Sequence, residues 1–173
     1  MIEDGELRLR RAEPADLDFL LELMTHEDVE PYLAVIRPRD REGLASEIER
    51  SRSEPQEFGR FVIEVDGRPA GLMGFEVSNR RSRIANLGSL AVHPGFRGRR
   101  LADRAARLFQ RHLIFDLGYH RLQLEIYGFN ERARVHAERA GFVLEGVRRK
   151  AYWRNDEWVD SVIYGLVRED LEA

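Results

Sequence analysis

The segment LAVHPGFRGRRLADRAARLF, from Leu90 to Phe109, runs from an apolar strand into a helix through a loop of glycine and arginine. Helices usually start on Ser, Thr, Asp or Asn, whose side chains accept bonds from the first unpaired backbone N–H groups. Phe96, Arg97, Gly98, Arg99 and Arg100 hold that place here, and none of them can accept such a bond. Free N–H groups at a helix start, added to the positive end of the helix dipole, make an anion site. Gly98 lets a ligand approach the backbone closely, and the three arginines add charge. A phosphate or pyrophosphate group fits; the other reading is a basic helix start whose N–H groups bind water.

Other chemistries have less support. The chain has no cysteine, which excludes a disulfide framework, a thiolate metal site and a cysteine nucleophile. His93 precedes Pro94 at a strand end and His136 sits on a later helix, so no histidine pair has metal-ligand spacing on one face and no metal is expected. The net charge of −3 speaks against nucleic acid as a partner. The opening residues MIEDGELRLRRAEP are charged, and no apolar run approaches the ~20 residues of a membrane span. A cytoplasmic protein with no membrane partner is expected, folded as a single domain over residues 1–173.

The elements that must position the loop follow from periodicity. Glu6 to Arg11 alternates as a first strand. Pro14 suits a first helical turn, with Leu17, Leu20, Leu21 and Met24 on one face. A second helix is expected from Arg39 to about Arg52. FGRFVIEVDGRPAGLMGFEV reads as a hairpin turning at Asp66-Gly67, and Asn86 to Val92 as the next strand. The helix after the loop ends near Leu117-Gly118, and HRLQLEIY is a strand. NERARVHAERAGF is a helix capped by Asn130, with a small-residue stripe at Ala133, Ala137 and Ala140 and a stop at Gly141-Phe142. Strands around Glu145–Arg154 and Trp158–Val167 close the chain. The order βααβββαβαββ predicts an α/β (α+β) domain around a mixed, mostly antiparallel central sheet flanked by helices.

Strand, V-x-P, loop, then R-G-x-x-L-A opening a helix resembles the acyl-CoA-binding motif of the GCN5-related N-acetyltransferases, the GNAT family. Arg97 and Ala102 match the ends of that motif, whereas Arg100 stands where its first glycine belongs. NERARVHAERAGF, LEG and two aromatic strands resemble the second family motif and its terminal hairpin. Nearly the whole chain is covered, and it is most similar to the branch holding ribosomal-protein N-terminal and spermidine acetyltransferases.

The resemblance implies the GNAT fold, acetyl-CoA as cosubstrate and a primary amine as acceptor: a protein N-terminus, a polyamine or another small amine. It implies that backbone of Leu90, Ala91 and Val92 pairs with the pantetheine arm and that a backbone N–H near Val92 meets the oxyanion. Amides of Arg97, Gly98, Arg99, Arg100, Leu101 and Ala102 would hold the pyrophosphate, and Asn130 would contact the arm besides capping its helix. Glu125 is the implied base; the plainer reading pairs it with an arginine such as Arg121 or Arg134. Glu76 is a second choice, and Asn86, at another family base position, cannot serve. The family's acidic tyrosine is replaced by Ala137, leaving Tyr127, Tyr152 and Tyr164 as stand-ins. An acceptor pocket would draw on Tyr32, Phe75, Tyr127, Tyr152 and Trp153, with Glu27, Asp28 and Glu30 either favouring a cation or forming a solvated helix end. The alternative function is a catalytically impaired acyl-CoA-binding module. Apolar residues on the terminal hairpin would suit a homodimer.

Overall fold

The computed structural model describes residues 2–33 and 40–172. Eight strands form one sheet in the order β1-β2-β3-β4-β5-β6-β8-β7. They are β1 (Ile2–Asp4), β2 (Leu7–Arg11), β3 (Phe58–Val65), β4 (Arg68–Asn79), β5 (Ile84–Val92), β6 (Arg121–Tyr127), β7 (Val143–Arg154) and β8 (Glu157–Val167). Every pairing is antiparallel except β5 with β6. The sheet therefore has the expected mixed, mostly antiparallel character. β1 was not expected, because three residues are too few to show a period.

The helices are α1 (Leu17–Thr25), α2 (Arg41–Ser53), α3 (Leu101–Arg111), α4 (Glu131–Arg139) and α5 (Arg168–Glu172). α2 starts after Asp40, whose side chain accepts from the Gly43 N–H at 2.7 Å; Arg39, the expected start, lies outside the described residues. α1 buries Leu20, Leu23 and Met24 and packs Leu17 and Leu21, partly buried, against the same core, so Leu23 joins the expected stripe. The turn at Asp66-Gly67 forms with both residues at positive φ, as a two-residue hairpin turn requires.

The two faces of the sheet carry separate cores. Leu101, Ala105 and Phe109 of α3 meet Phe61, Ile63 and Val65 of β3, with Phe109 edge-on to Phe61 at 5.0 Å between centroids. Losing a fully buried ring of this kind costs about 3–5 kcal/mol. On the other face, Leu20, Leu23, Leu44 and Ile48 of α1 and α2 cover Val62 and Leu72. Buried Glu64 on β3 is tolerable because Arg10 Nε donates to it at 2.6 Å while also gripping Asp16. These two cores fix β4 and β5 from both sides, and β5 leads into the arginine-glycine loop.

Candidate active site

β5 and β6 pair over only three residues, from Ile84↔Arg121 to Asn86↔Gln123, and then splay apart. Gln123 Nε2 donates to Asn86 Oδ1 at 2.7 Å at the point where pairing stops. Beyond it, among the described residues, β5 pairs with β4 alone as far as Val92, which leaves its other edge to pair with an extended ligand. Within this free stretch the register with β4 shifts between Leu72↔Ala91 and Gly74↔Gly88, a β-bulge that re-aims the backbone. Gly71 permits the close approach: a Cβ there would collide with the Ala91 carbonyl oxygen.

The splay opens a cleft of about 1940 Å³. A single small-molecule pocket usually takes ~300–1,000 Å³, so the space suffices for two substrates. At one end lies the start of α3. Its cap position is Arg100, in the left-handed region at φ 54°, with no side-chain cap bond, and Gly98 is at φ 98° with open space around it. A non-glycine residue held there costs about 1–2 kcal/mol. Leu90, Ala91, Val92, Arg97, Gly98, Arg100, Leu101 and Ala102 all line the cleft. Arg99 does not; its charge acts instead on the Glu6 carboxylate.

α4 forms the opposite wall. Asn130 Oδ1 accepts from the Ala133 N–H at 3.2 Å, the expected cap, and its Nδ2 has no partner among the described residues. The helix ends at Gly141, φ 96°, with Phe142 N–H bonding Ala137 and Gly141 N–H bonding Glu138. Ala137 is buried at the cleft wall, so no acidic group stands at that position.

Glu125 lies on β6 in the cleft. Its Oε2 accepts from Tyr152 Oη at 2.7 Å and Ser161 Oγ at 2.9 Å, and Arg148 Nη1 stands 3.2 Å from Oε1. The arginine expected beside it was Arg121 or Arg134. Arg121 instead pairs with Glu145, and Arg134 lies 3.9 Å from Glu131. The bond to Glu125, together with burial, pushes the Tyr152 hydroxyl pKa up, so it stays protonated. Tyr127 lines the cleft and stacks on Phe129 at 5.4 Å. Tyr164 is outside it, donating to Glu138 at 3.0 Å.

Tyr32, Phe75, Glu27, Asp28, Glu76 and Asn86 also reach the cleft, while Trp153 and Glu30 do not. Trp153 packs against Trp158, and Glu30 accepts from Arg154. Glu76 is bonded to Arg50 at 2.8 Å.

The fold also assembles Glu22, His26 and His93, which were too far apart in sequence to read as a set, with ligand atoms within 4.8 Å of one another. Both rings accept a backbone N–H at Nδ1, from Asp28 and Gly95 at 3.1 Å each. The neutral rings then carry their proton on Nε2, the atom a cation would need, and a metal-bound imidazole normally donates from its other nitrogen. The donor set does not fit a metal.

A family model described as the acetyltransferase (GNAT) domain matches residues 6–143. The chain is 25% identical over 168 residues to the prophage-derived N-acetyltransferase YokL of Bacillus subtilis (strain 168), covering 96% of this chain and 92% of that one. It is 27% identical over 162 residues to spermidine N(1)-acetyltransferase of Escherichia coli (strain K12), covering 90% and 83%. The crystal structure of spermidine N-acetyltransferase from Vibrio cholerae, in complex with CoA and spermine, superposes with a TM-score of 0.87 at 20% identity, covering 98% and 100%.

Proposed function

This chain belongs to the GNAT acetyltransferase family, an enzyme family with acetyl-CoA as donor, and we propose that it is an N-acetyltransferase in which a primary amine attacks the thioester directly. The free edge of β5 running into an uncapped helix start carries this reading. Backbone at Leu90, Ala91 and Val92 takes the pantetheine arm as an added strand, and amides from Arg97 to Ala102 take the pyrophosphate. Asn130 offers its unused Nδ2 to the arm.

Glu125 takes the proton that the amine must lose before attack. Its pair with Arg148 involves a side chain that is 60% exposed, and such pairs are worth about 0–1 kcal/mol. Oε1 is therefore the oxygen cheaply freed for an incoming amine. The nitrogen forms a bond to the carbonyl carbon, negative charge moves to the carbonyl oxygen, and a backbone N–H near Val92 meets it. Collapse breaks the carbon–sulfur bond and expels thiolate, and the nitrogen releases its second proton to solvent as the neutral amide forms. Protonated Tyr152, which lines the cleft and is already bonded to Glu125, returns a proton to the thiolate.

The acceptor is a protein N-terminus, a polyamine or another small amine. Glu27 and Asp28 are the cleft carboxylates without an ion pair among the described residues, and they stand near Tyr32 in the chain. Thiol release from acetyl-CoA against a panel of these amines tests the proposal. Acceptor-dependent release is expected. Coenzyme binding with no acceptor-dependent release would overturn it.

A further inference from the structure

Arg60 of β3 stands opposite Gly74 of β4, and Gly74 stands opposite Gly88 of β5. Asn86 pairs with Gln123, and that parallel register carried two residues on brings Gly88 level with Glu125 across the splay. Strand alternation puts Arg60 on the same sheet face as Val62, the face covered by α1 and α2. All four residues of this row line the cleft. The row has Glu125 at one end, a guanidinium at the other, and no side chain between them.

Backbone geometry does not explain the glycine at 88. It has no positive φ, and a Cβ built there would meet nothing within 4 Å. Its effect is to leave the floor of the cleft bare. At Gly74 a Cβ would meet the Gly59 carbonyl oxygen and, at 3.3 Å, Arg60 Nη1. The guanidinium therefore lies beside the bare floor.

The Arg60 side chain is only 8% exposed. Nη2 donates to Glu47 of α2, Nε is buried with no partner, and Nη1 has none among the described residues. Tethering α2 through Glu47 thus engages one of five N–H groups. Arg50, on the same wall, instead commits Nε to Glu54 and Nη1 to Glu76. A buried donor left without a partner costs about 1–3 kcal/mol, more when charged. Carbonyl or carboxylate oxygen is the ligand chemistry that forked guanidinium donors match.

We propose that Arg60 is a specificity-determining residue, taking a carbonyl or carboxylate oxygen of an acceptor laid along the glycine floor with its amine at Glu125. This rests on the reading of Glu125 as the base. Three strand spacings of ~4.8 Å put at least ~14 Å between the ends of the row, which an extended peptide of about four residues spans at ~3.4 Å each. A peptide N-terminus carries such oxygens along its length. A polyamine carries none and would bring a second cation to a guanidinium. A main-chain carbonyl and a terminal carboxylate offer Arg60 the same chemistry, and the peptide used separates them.

Initial rates of wild type, Arg60→Met and Gly88→Val are to be compared with tetra-alanine amide, tetra-alanine bearing a free carboxylate, and spermidine, at saturating acetyl-CoA. Wild type should show a higher kcat/KM with at least one peptide than with spermidine. Arg60→Met should lower that value about tenfold or more, chiefly through the acceptor KM, as for a lost hydrogen bond to a charged group. It should not lower kcat/KM for spermidine, because Glu47 is then left for a cation. Gly88→Val should raise the peptide KM while KM for acetyl-CoA and the melting temperature hold. A loss with both peptides assigns the contact to a main-chain carbonyl; a loss confined to the free acid assigns it to the carboxylate. A wild-type preference for spermidine, an equal loss with all three acceptors, or no loss in Arg60→Met overturns the proposal. Should Arg60→Met not fold, an unchanged peptide KM in Gly88→Val overturns it alone. Thiol release with spermidine alone defeats only the role of Arg60, whereas no release with any amine defeats the acetyltransferase reading beneath it.

Discussion

Tyr152 Oη donates to Glu125 Oε2 at 2.7 Å, and Ser161 Oγ shares that oxygen at 2.9 Å. Three adjacent strands, β6, β8 and β7, thus fix one carboxylate in the cleft. One of its oxygens is committed to neutral donors, and the other faces an arginine on an exposed tether. A base needs a lone pair it can release at low cost, and Oε1 meets that need.

Glu125→Gln should therefore lower kcat by about a hundredfold or more near neutral pH, within the range of a lost general base. Arg148→Ala should leave kcat intact, since the pair it breaks is exposed. Steady-state rates with a saturating amine check both. An unchanged rate in Glu125→Gln would remove Glu125 from the chemistry.

Arg100 occupies a left-handed conformation that glycine adopts freely. Arg100→Gly relieves about 1–2 kcal/mol of strain, partly offset by the added freedom of glycine in the unfolded chain. The melting temperature should be unchanged or higher, while KM for acetyl-CoA rises through loss of a cation at the cradle. A lower melting temperature with unchanged KM would contradict this account of Arg100.

Gly71 stands against the Ala91 carbonyl where the bulge of β5 lies. Gly71→Ala must push β4 and β5 apart, at about 1–3 kcal/mol for an overpacked site. In a chain of this size that lowers the melting temperature by roughly 2–4 °C per kcal/mol. Thermal unfolding and coenzyme KM should both worsen; a variant with wild-type values for both would show that the strand spacing is not critical.

His136 is buried with its pKa below that of a free imidazole. In the unfolded chain it takes up a proton near pH ~6.5, and in the folded chain only at lower pH. Between those values the unfolded state binds more protons, so stability falls as pH falls. The contribution is complete above pH ~6.5 and is lost towards the folded value. The groups facing the ring are Arg139 and Asp103, whose carboxyl is held below the usual range and stays ionised in this window. Thermal unfolding from about pH 7.5 to about 5.5 should decline less steeply in His136→Gln than in wild type; equal slopes would exclude the effect.

The sequence was most informative where a short rule governs a short segment. The hairpin turn at Asp66-Gly67, the Asn130 cap, the Gly141-Phe142 stop and the missing cap before Leu101 each depend on a few neighbouring residues. Features that depend on which strands become neighbours could not be read in the same way. The splay of β5 from β6 and the bond from Gln123 to Asn86 that marks its apex need the sheet order. For the same reason Glu125 faces Arg148 rather than Arg121: β8 lies between β6 and β7, and Arg121 is taken by Glu145. Arg99 belongs to the loop by position, yet its side chain is off the cleft wall.

The central claim is that main-chain amides after β5 hold the coenzyme's diphosphate while the free edge of β5 holds its arm. Backbone amide chemical shifts, followed by NMR as coenzyme A is added, test this most directly. The largest changes should fall on Gly98 to Ala102 and on Leu90 to Val92, with Gly98 the most affected. Saturable binding that leaves those amides unmoved would contradict the account.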